Sequence, residues 1–241
     1  MNAVTEQRNH ALSSINQELA NRGLKTIRKL GNACEGEIEV TAIKEIYDHS
    51  ARFFTDVKFA VLFPGGKDGE FTVRFNAAGS VSDGAVIVAL VNGRFAFVKQ
   101  WRTPLSQWTY EVPRGFGERL DKAHIAGQLG TLSIADLPLG TLARELGEEV
   151  MKDAVIQSIT HLGNIAENSG TSNIAPSYFL VQIAVDEDLL SGKAHGTEET
   201  LKVYFWDAAR VQTELGQKIL DNHSIVALSL AKRHIDALPR V

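Results

Sequence analysis

Glu145, Glu148 and Glu149 crowd into the segment Arg-Glu-Leu-Gly-Glu-Glu, residues 144–149. On a helix, positions 145 and 149 lie four apart and 145 and 148 three apart, so the three carboxylates project from one side. Like charges at that spacing cost an isolated helix roughly 0.2–0.5 kcal/mol per pair. A divalent cation reverses the sign of that interaction, because hard carboxylate oxygens suit Mg2+ or Mn2+. The plain alternative is a solvated helix face on which Arg144 is the local counter-charge. The hexapeptide alone does not choose between them.

The chain that must position these groups has 241 residues, 44% of them apolar and 22% charged, with a net charge of −4. That length and balance suit one full-sized globular domain, or one domain with a smaller appendage. The slight acidity points away from nucleic acid and from anionic membranes as partners. Cys34 is the single cysteine, so no internal disulfide is expected, which suits a reducing, cytoplasmic setting. The opening stretch lacks the apolar core of a signal peptide, and no apolar run approaches the roughly 18 residues that would span a bilayer.

Leu12, Ile15 and Leu19 recur at helical spacing and Gly23 follows, which predicts a helix over 5–22. From residue 37 the texture changes to strand, first "EIEVTAIKEIYD" and then "VKFAVLF", with "PGGKDGE" as a turn before "FTVRF". The strongest local signal is "GAVIVALVNGRFAFVKQWR", two apolar strands flanking Asn92-Gly93, a pair that tolerates a tight hairpin turn. Further strands are expected near 154–162, at "SYFLVQIAV" and at "TLKVYFW", with a Gly/Ser/Asn loop at 164–176 and one or two helices over 207–238. Strands outnumber helices without strict alternation, so the expected class is α+β. Residues 1–80 read as an N-terminal helix with a β-rich subdomain or dimerisation arm, and 81–241 as the main domain.

Upstream of the carboxylates stands Glu-Val-Pro-Arg-Gly (111–115), followed by Gly117-Glu118. Here the sequence resembles the Nudix hydrolases, whose box reads G-x5-E-x7-R-E-U-x-E-E-x-G-U, with U a bulky aliphatic residue. The entry E-[LV]-P-[AR]-G is that of the ADP-ribose pyrophosphatase branch. "VKQWRTPL" resembles that branch's strand ending in Gln-x-Arg, and "ENSGTSNIAPSYFLVQI" its S-P-G-x-S loop. "GTEETLKVYFW" resembles its acidic loop, and "LGQKILDNHSIVALSLAK" its closing I-x-D-x-x-[ST] helix. The matches run in the family's order from about residue 84 to 232.

The chain also departs from the pattern. Counting back from Arg144 places the first box glycine at Gly130 and puts Asp136 where the family has glutamate. The Pro-Arg-Gly entry instead places them at Gly115 and Asp121, with an insertion of about fifteen residues before the helix. The second register is favoured, since the Glu-x-Pro-x-Gly strand end is the more specific feature. Met151 stands where the family's glycine ends the helix with positive φ, a conformation that costs other residues roughly 1–2 kcal/mol. Gly140 and Gly147 lie inside the expected helix, each costing about 1 kcal/mol relative to alanine.

The resemblance implies a Nudix fold, a mixed sheet between helices, and hydrolysis of a nucleoside diphosphate linked to another moiety, ADP-ribose first. It makes Glu145 and Glu149 the main Mg2+ ligands (Mn2+ the alternative), with Glu148 direct or through water and the Arg114 carbonyl as a further oxygen. Arg144 would orient the loop by forking onto Asp121 or Glu118. The general base would come from the acidic loop, Glu199 ahead of Glu198, with Glu167 third. Arg102, Arg114 and the backbone at Gly170 would meet the substrate, and Gly115 would shape the entry. Trp101, Trp108 and Tyr110 are expected in packing, and the histidines, His161 aside, on the surface. A homodimer is implied, and a module that binds ADP-ribose without cleaving it is the rival reading.

Overall fold

The computed structural model describes residues 3–48, 54–76, 84–115, 155–186 and 202–237. These fall into two compact units, 1–81 with 166–174, and 82–165 with 175–241.

In the first unit, helix α1 (Ala3–Asn21) precedes an antiparallel sheet of β1 (Glu39–Asp48), β2 (Phe54–Phe63) and β3 (Lys67–Asn76), in the order β1-β2-β3. Alternation along β2 buries Thr55, Val57, Phe59 and Val61 and leaves their neighbours half-buried, the signature of a sheet with one covered face. Ile15 and Leu19 of α1, four residues apart, join Val57, Phe59, Val61 and Phe75 in one apolar cluster. The expected helix therefore sits on the expected strands. The strand β3 starts at Lys67, inside the stretch read as a turn, because the chain reverses already at Gly65 and Gly66, whose φ values are +91° and +83°.

The second unit is built on a mixed sheet in the order β10-β5-β4-β9-β8: β4 (Ala85–Val91), β5 (Arg94–Arg102), β8 (Val155–Asn164), β9 (Ser177–Ala184) and β10 (Lys202–Trp206). Two short strands extend it, β6 (Gln107–Glu111) on β5 and β7 (Arg114–Gly115) on β4. β4 and β9 pair in parallel and the other pairings are antiparallel. The parallel pair explains the unbroken apolar run of β4. Ala85, Ile87, Ala89 and Val91 pack in one cluster, and Val86 and Val88 in another, so both faces of the strand are covered. Helices α2 (Ala208–Glu214) and α3 (Asn222–Ala237) pack Val211, Ala227, Leu228 and Ala231 into the second cluster. A hairpin turn at Asn92 (φ 48°) and Gly93 (φ 78°) joins β4 to β5, and Asn92 also bonds both backbone groups of Val185, at 2.8 and 3.1 Å.

The helical layer expected from Arg144 to Glu149 lies outside the described residues. No helix among the described residues is long and apolar enough to cross a membrane.

Candidate active site

Alternation along "WTYEV" puts Thr109 and Glu111 on one face of β6, and the pairing of β6 with β5 brings Arg102 within reach. The Glu111 side chain is 1% exposed, a depth at which a carboxylate is found only when paired. Arg102 forks onto it, Nε donating to Oε1 at 2.6 Å and Nη2 to Oε2. The Thr109 hydroxyl donates to Oε1 at 2.7 Å. Arg114 reaches Oε2 from the other side, through Nη2 at 3.0 Å and Nε at 3.3 Å.

Burial pushes the Glu111 carboxyl up, but hydrogen bonds from Arg102 and Thr109 and the charges of Arg114 and Arg102 outweigh it and hold it at about 2. Glu111 is thus an anion throughout the neutral range.

Arg114 also lies 3.2 Å from Asp221 Oδ1. Asp221 caps α3, its Oδ2 accepting from the Ser224 amide and from the Ser224 hydroxyl, both at 2.9 Å. The Ser224 hydroxyl oxygen in turn accepts the Val112 amide at 3.0 Å. Glu111-Val-Pro-Arg-Gly115 and Ile219-x-Asp221-x-x-Ser224 are therefore two halves of one assembly. It holds two guanidiniums and two carboxylates, so its formal charges balance.

Beside it, the Tyr178 hydroxyl shares a buried 2.7 Å hydrogen bond with His223 Nδ1. His223 is 5% exposed, which corrects the expectation that the histidines other than His161 lie on the surface. Its position, two after the cap of an amphipathic helix, is the signal that points inward.

Of the residues singled out in the sequence, Arg102, Arg114 and Gly115 come together around Glu111 and β7. Both arginines are partners of Glu111, and neither stands as an isolated cation awaiting an anion. Gly170 lies in the segment 166–174, where its amide donates to Asn168 Oδ1 at 3.1 Å, and the Thr171 and Ser172 amides donate to Asn168 O at 3.1 and 2.8 Å. These amides close a turn within the segment. Glu167 belongs to the same segment, and its charge acts on Arg74. Asp121, Arg144, Glu145, Glu148, Glu149, Glu198 and Glu199 lie outside the described residues, as does Glu118. Among the described residues no three of His, Cys, Asp or Glu come together in a way that could hold a metal ion.

Trp101 and Trp108, expected in packing, are each 49% exposed and meet edge to face at a centroid distance of 5.7 Å, with Lys99 over the Trp108 ring. They pair directly across the β5–β6 ladder, close to its turn at Thr103–Leu105. Tyr110, nearer the core, packs against Tyr204 and Trp206.

Glu111 and Asp221 were not singled out as site residues by sequence reasoning, although both fall inside quoted motifs. A glutamate two positions after a threonine in an aromatic strand was the available signal.

No family model matches the chain, and no curated protein matches it. Among solved structures, one described as "Crystal structure of ADP compounds hydrolase" matches 83% of this chain and 96% of its own, with a TM-score of 0.54 at 17% identity. The chain shares the fold of an ADP compounds hydrolase. That likeness is one of architecture. At this identity it carries the fold alone, and no branch, substrate or metal.

Proposed function

We propose that this protein hydrolyses a nucleoside diphosphate linked to another moiety in a Mg2+-dependent reaction, with ADP-ribose, giving AMP and ribose 5-phosphate, as the first substrate and related nucleotide sugars next. The observation that carries the reading is the Glu111–Arg114–Asp221–Ser224 assembly. It binds together the two motifs through which the sequence resembles the ADP-ribose pyrophosphatase branch, in a fold shared with an ADP compounds hydrolase.

Glu145, Glu148 and Glu149, with the Arg114 carbonyl, would hold the metal. Their hard oxygens suit Mg2+. Bound there, the ion supplies polarisation of the diphosphate oxygens and a more acidic water. The chain's own groups do the rest. Glu199, or Glu198 beside it, accepts the proton of the attacking water. Arg102 and Arg114 are oriented in advance by Glu111, so little rotamer freedom remains to be lost on meeting a phosphate. Arg144 would orient the loop before the carboxylate helix through Asp121 or Glu118, and Gly115 would shape its entry. A cytoplasmic homodimer is part of this proposal.

Release of AMP from ADP-ribose, with and without Mg2+, for wild type and Glu149→Gln, tests the reading. Metal-dependent turnover that the substitution abolishes supports it. Absence of turnover across a panel of nucleoside diphosphates, with ADP-ribose still bound, makes the chain a binding module instead.

A further inference from the structure

Three side chains tie the cap and first turn of α3 to strands of the same unit. Asp221 Oδ1 lies 3.2 Å from Arg114 Nη2, and the Ser224 hydroxyl oxygen accepts the Val112 amide at 3.0 Å. His223 Nδ1 shares its 2.7 Å hydrogen bond with the Tyr178 hydroxyl of β9. Asp221 and Ser224 are three apart and share one side of the turn, whereas His223, two after Asp221, does not face that side. The turn is therefore gripped from two sides.

The sheet supplies the matching spacing. Val86 of β4 pairs with Arg114 on one side and with Tyr178 on the other, so one row crosses β7, β4 and β9. At about 4.8 Å per strand, the backbones of Arg114 and Tyr178 stand roughly 10 Å apart, about the width of a helix with its side chains. Val86 and Tyr178 belong to the apolar cluster into which α3 packs Ala227, Leu228 and Ala231. Tyr178 is 1% exposed and His223 5% exposed, so their bond is made away from solvent. The contacts of Asp221 and Ser224 fix where the turn stands but do not by themselves fix its roll about the helix axis. The Tyr178–His223 bond, on the other side, does.

We infer that Tyr178 and His223 are positioning residues for Arg114, setting the roll of the first turn of α3 so that Asp221 meets the guanidinium in one orientation. The kinetic part of the inference rests on the hydrolysis proposed above, in which Arg114 meets the substrate. Both residues act through Asp221. Glu111 holds the same guanidinium through Nε and Nη2, so a displaced Asp221 turns Arg114 rather than releasing it.

The test compares wild type with Tyr178→Phe, which removes one hydroxyl and keeps the ring, with His223→Phe, and with the double variant. Val211→Ala is the control, since it loosens the same apolar cluster from α2 without touching the first turn of α3. KM and kcat are measured for ADP-ribose with Mg2+, and amide hydrogen exchange is read at Val112 and Ser224. Tyr178→Phe is expected to raise KM and to speed exchange at both amides by about fivefold, with kcat held within about twofold. The double variant is expected to raise KM no further than Tyr178→Phe alone. Val211→Ala is expected to lower the melting temperature and leave KM unchanged. Unchanged exchange in Tyr178→Phe overturns the inference, as does faster exchange with KM unchanged, or a KM that rises equally in Val211→Ala. A wild type that neither cleaves nor binds ADP-ribose overturns the functional reading alone. In that case faster exchange at Val112 and Ser224 in Tyr178→Phe still supports the hold on the turn, and unchanged exchange overturns it.

Discussion

The Ser224 hydroxyl oxygen accepts the Val112 amide at 3.0 Å across 112 residues of sequence, while its own proton goes to Asp221 Oδ2 at 2.9 Å. Val112 is 1% exposed and Ser224 0% exposed, so neither group has water as a substitute. One hydroxyl thus couples the strand end before Pro113 to the first turn of α3. This gives a physical reason for a serine three residues after an aspartate in that helix.

Replacing Ser224 with alanine leaves the Val112 amide buried without its acceptor, a loss of about 1–3 kcal/mol. Ser224→Thr keeps the hydroxyl but adds a methyl group to a fully buried position, so it should fall between the two. Urea denaturation of the three proteins, compared at equal m-values, checks the order.

Asp221 has two duties that substitution can separate. An asparagine in its place would still accept at the helix cap, whereas an alanine would not, so Asp221→Ala should cost about 1 kcal/mol more than Asp221→Asn from the cap alone. Both remove the charge facing Arg114 at 3.2 Å. If Arg114 meets the substrate, both should raise KM for ADP-ribose to a similar degree while differing in thermal stability. A KM that tracks stability would show instead that Asp221 acts only through the helix.

Much of the sheet could be read from local pattern. The alternation of β2, the apolar run of β4 and the Asn92-Gly93 turn are each decided by residues within a few positions. The Glu111 assembly was legible only as motif fragments, because its members come from β5, β6, β7 and the start of α3 and meet through pairing that no window contains. The bridge between Arg74 and Ser172 was not legible at all. "ENSGTSNIA" carries the composition of any polar loop, and its use as an edge partner depends on β3, some ninety residues away. Trp101 and Trp108 misled for a related reason. Aromatic strand sequence predicts burial only where another layer covers the strand, and at this end of the β5–β6 ladder both rings stand half exposed.

Asn92 combines a left-handed backbone with two hydrogen bonds to Val185. Asn92→Gly keeps the turn and loses the bonds, and Asn92→Ala loses both. The glycine variant should therefore be the more stable of the two by about 1 kcal/mol. Thermal unfolding of both against wild type reads this directly, and an alanine variant as stable as the glycine one would mean that φ of 48° at residue 92 is not retained in solution.

Glu111 sets a pH dependence whose sign follows from its depressed carboxyl. The folded form holds it at about 2 against an ordinary 4.5, so the unfolded chain binds the proton first as acid is added. The stabilisation is fully present above about pH 4.5 and is lost as pH falls through about 2. Glu111→Gln removes that titration and takes the buried carboxylate from between Arg102 and Arg114, of which Arg114 keeps Asp221, so its cost at neutral pH is expected at about 3 kcal/mol. The difference in unfolding free energy between wild type and Glu111→Gln should hold constant from pH 7 to about 5 and shrink steadily below. Urea midpoints measured from pH 7 down to 3 give this curve, and a gap that stayed constant across the range would show that Glu111 is not held as a paired anion by Arg102 and Arg114.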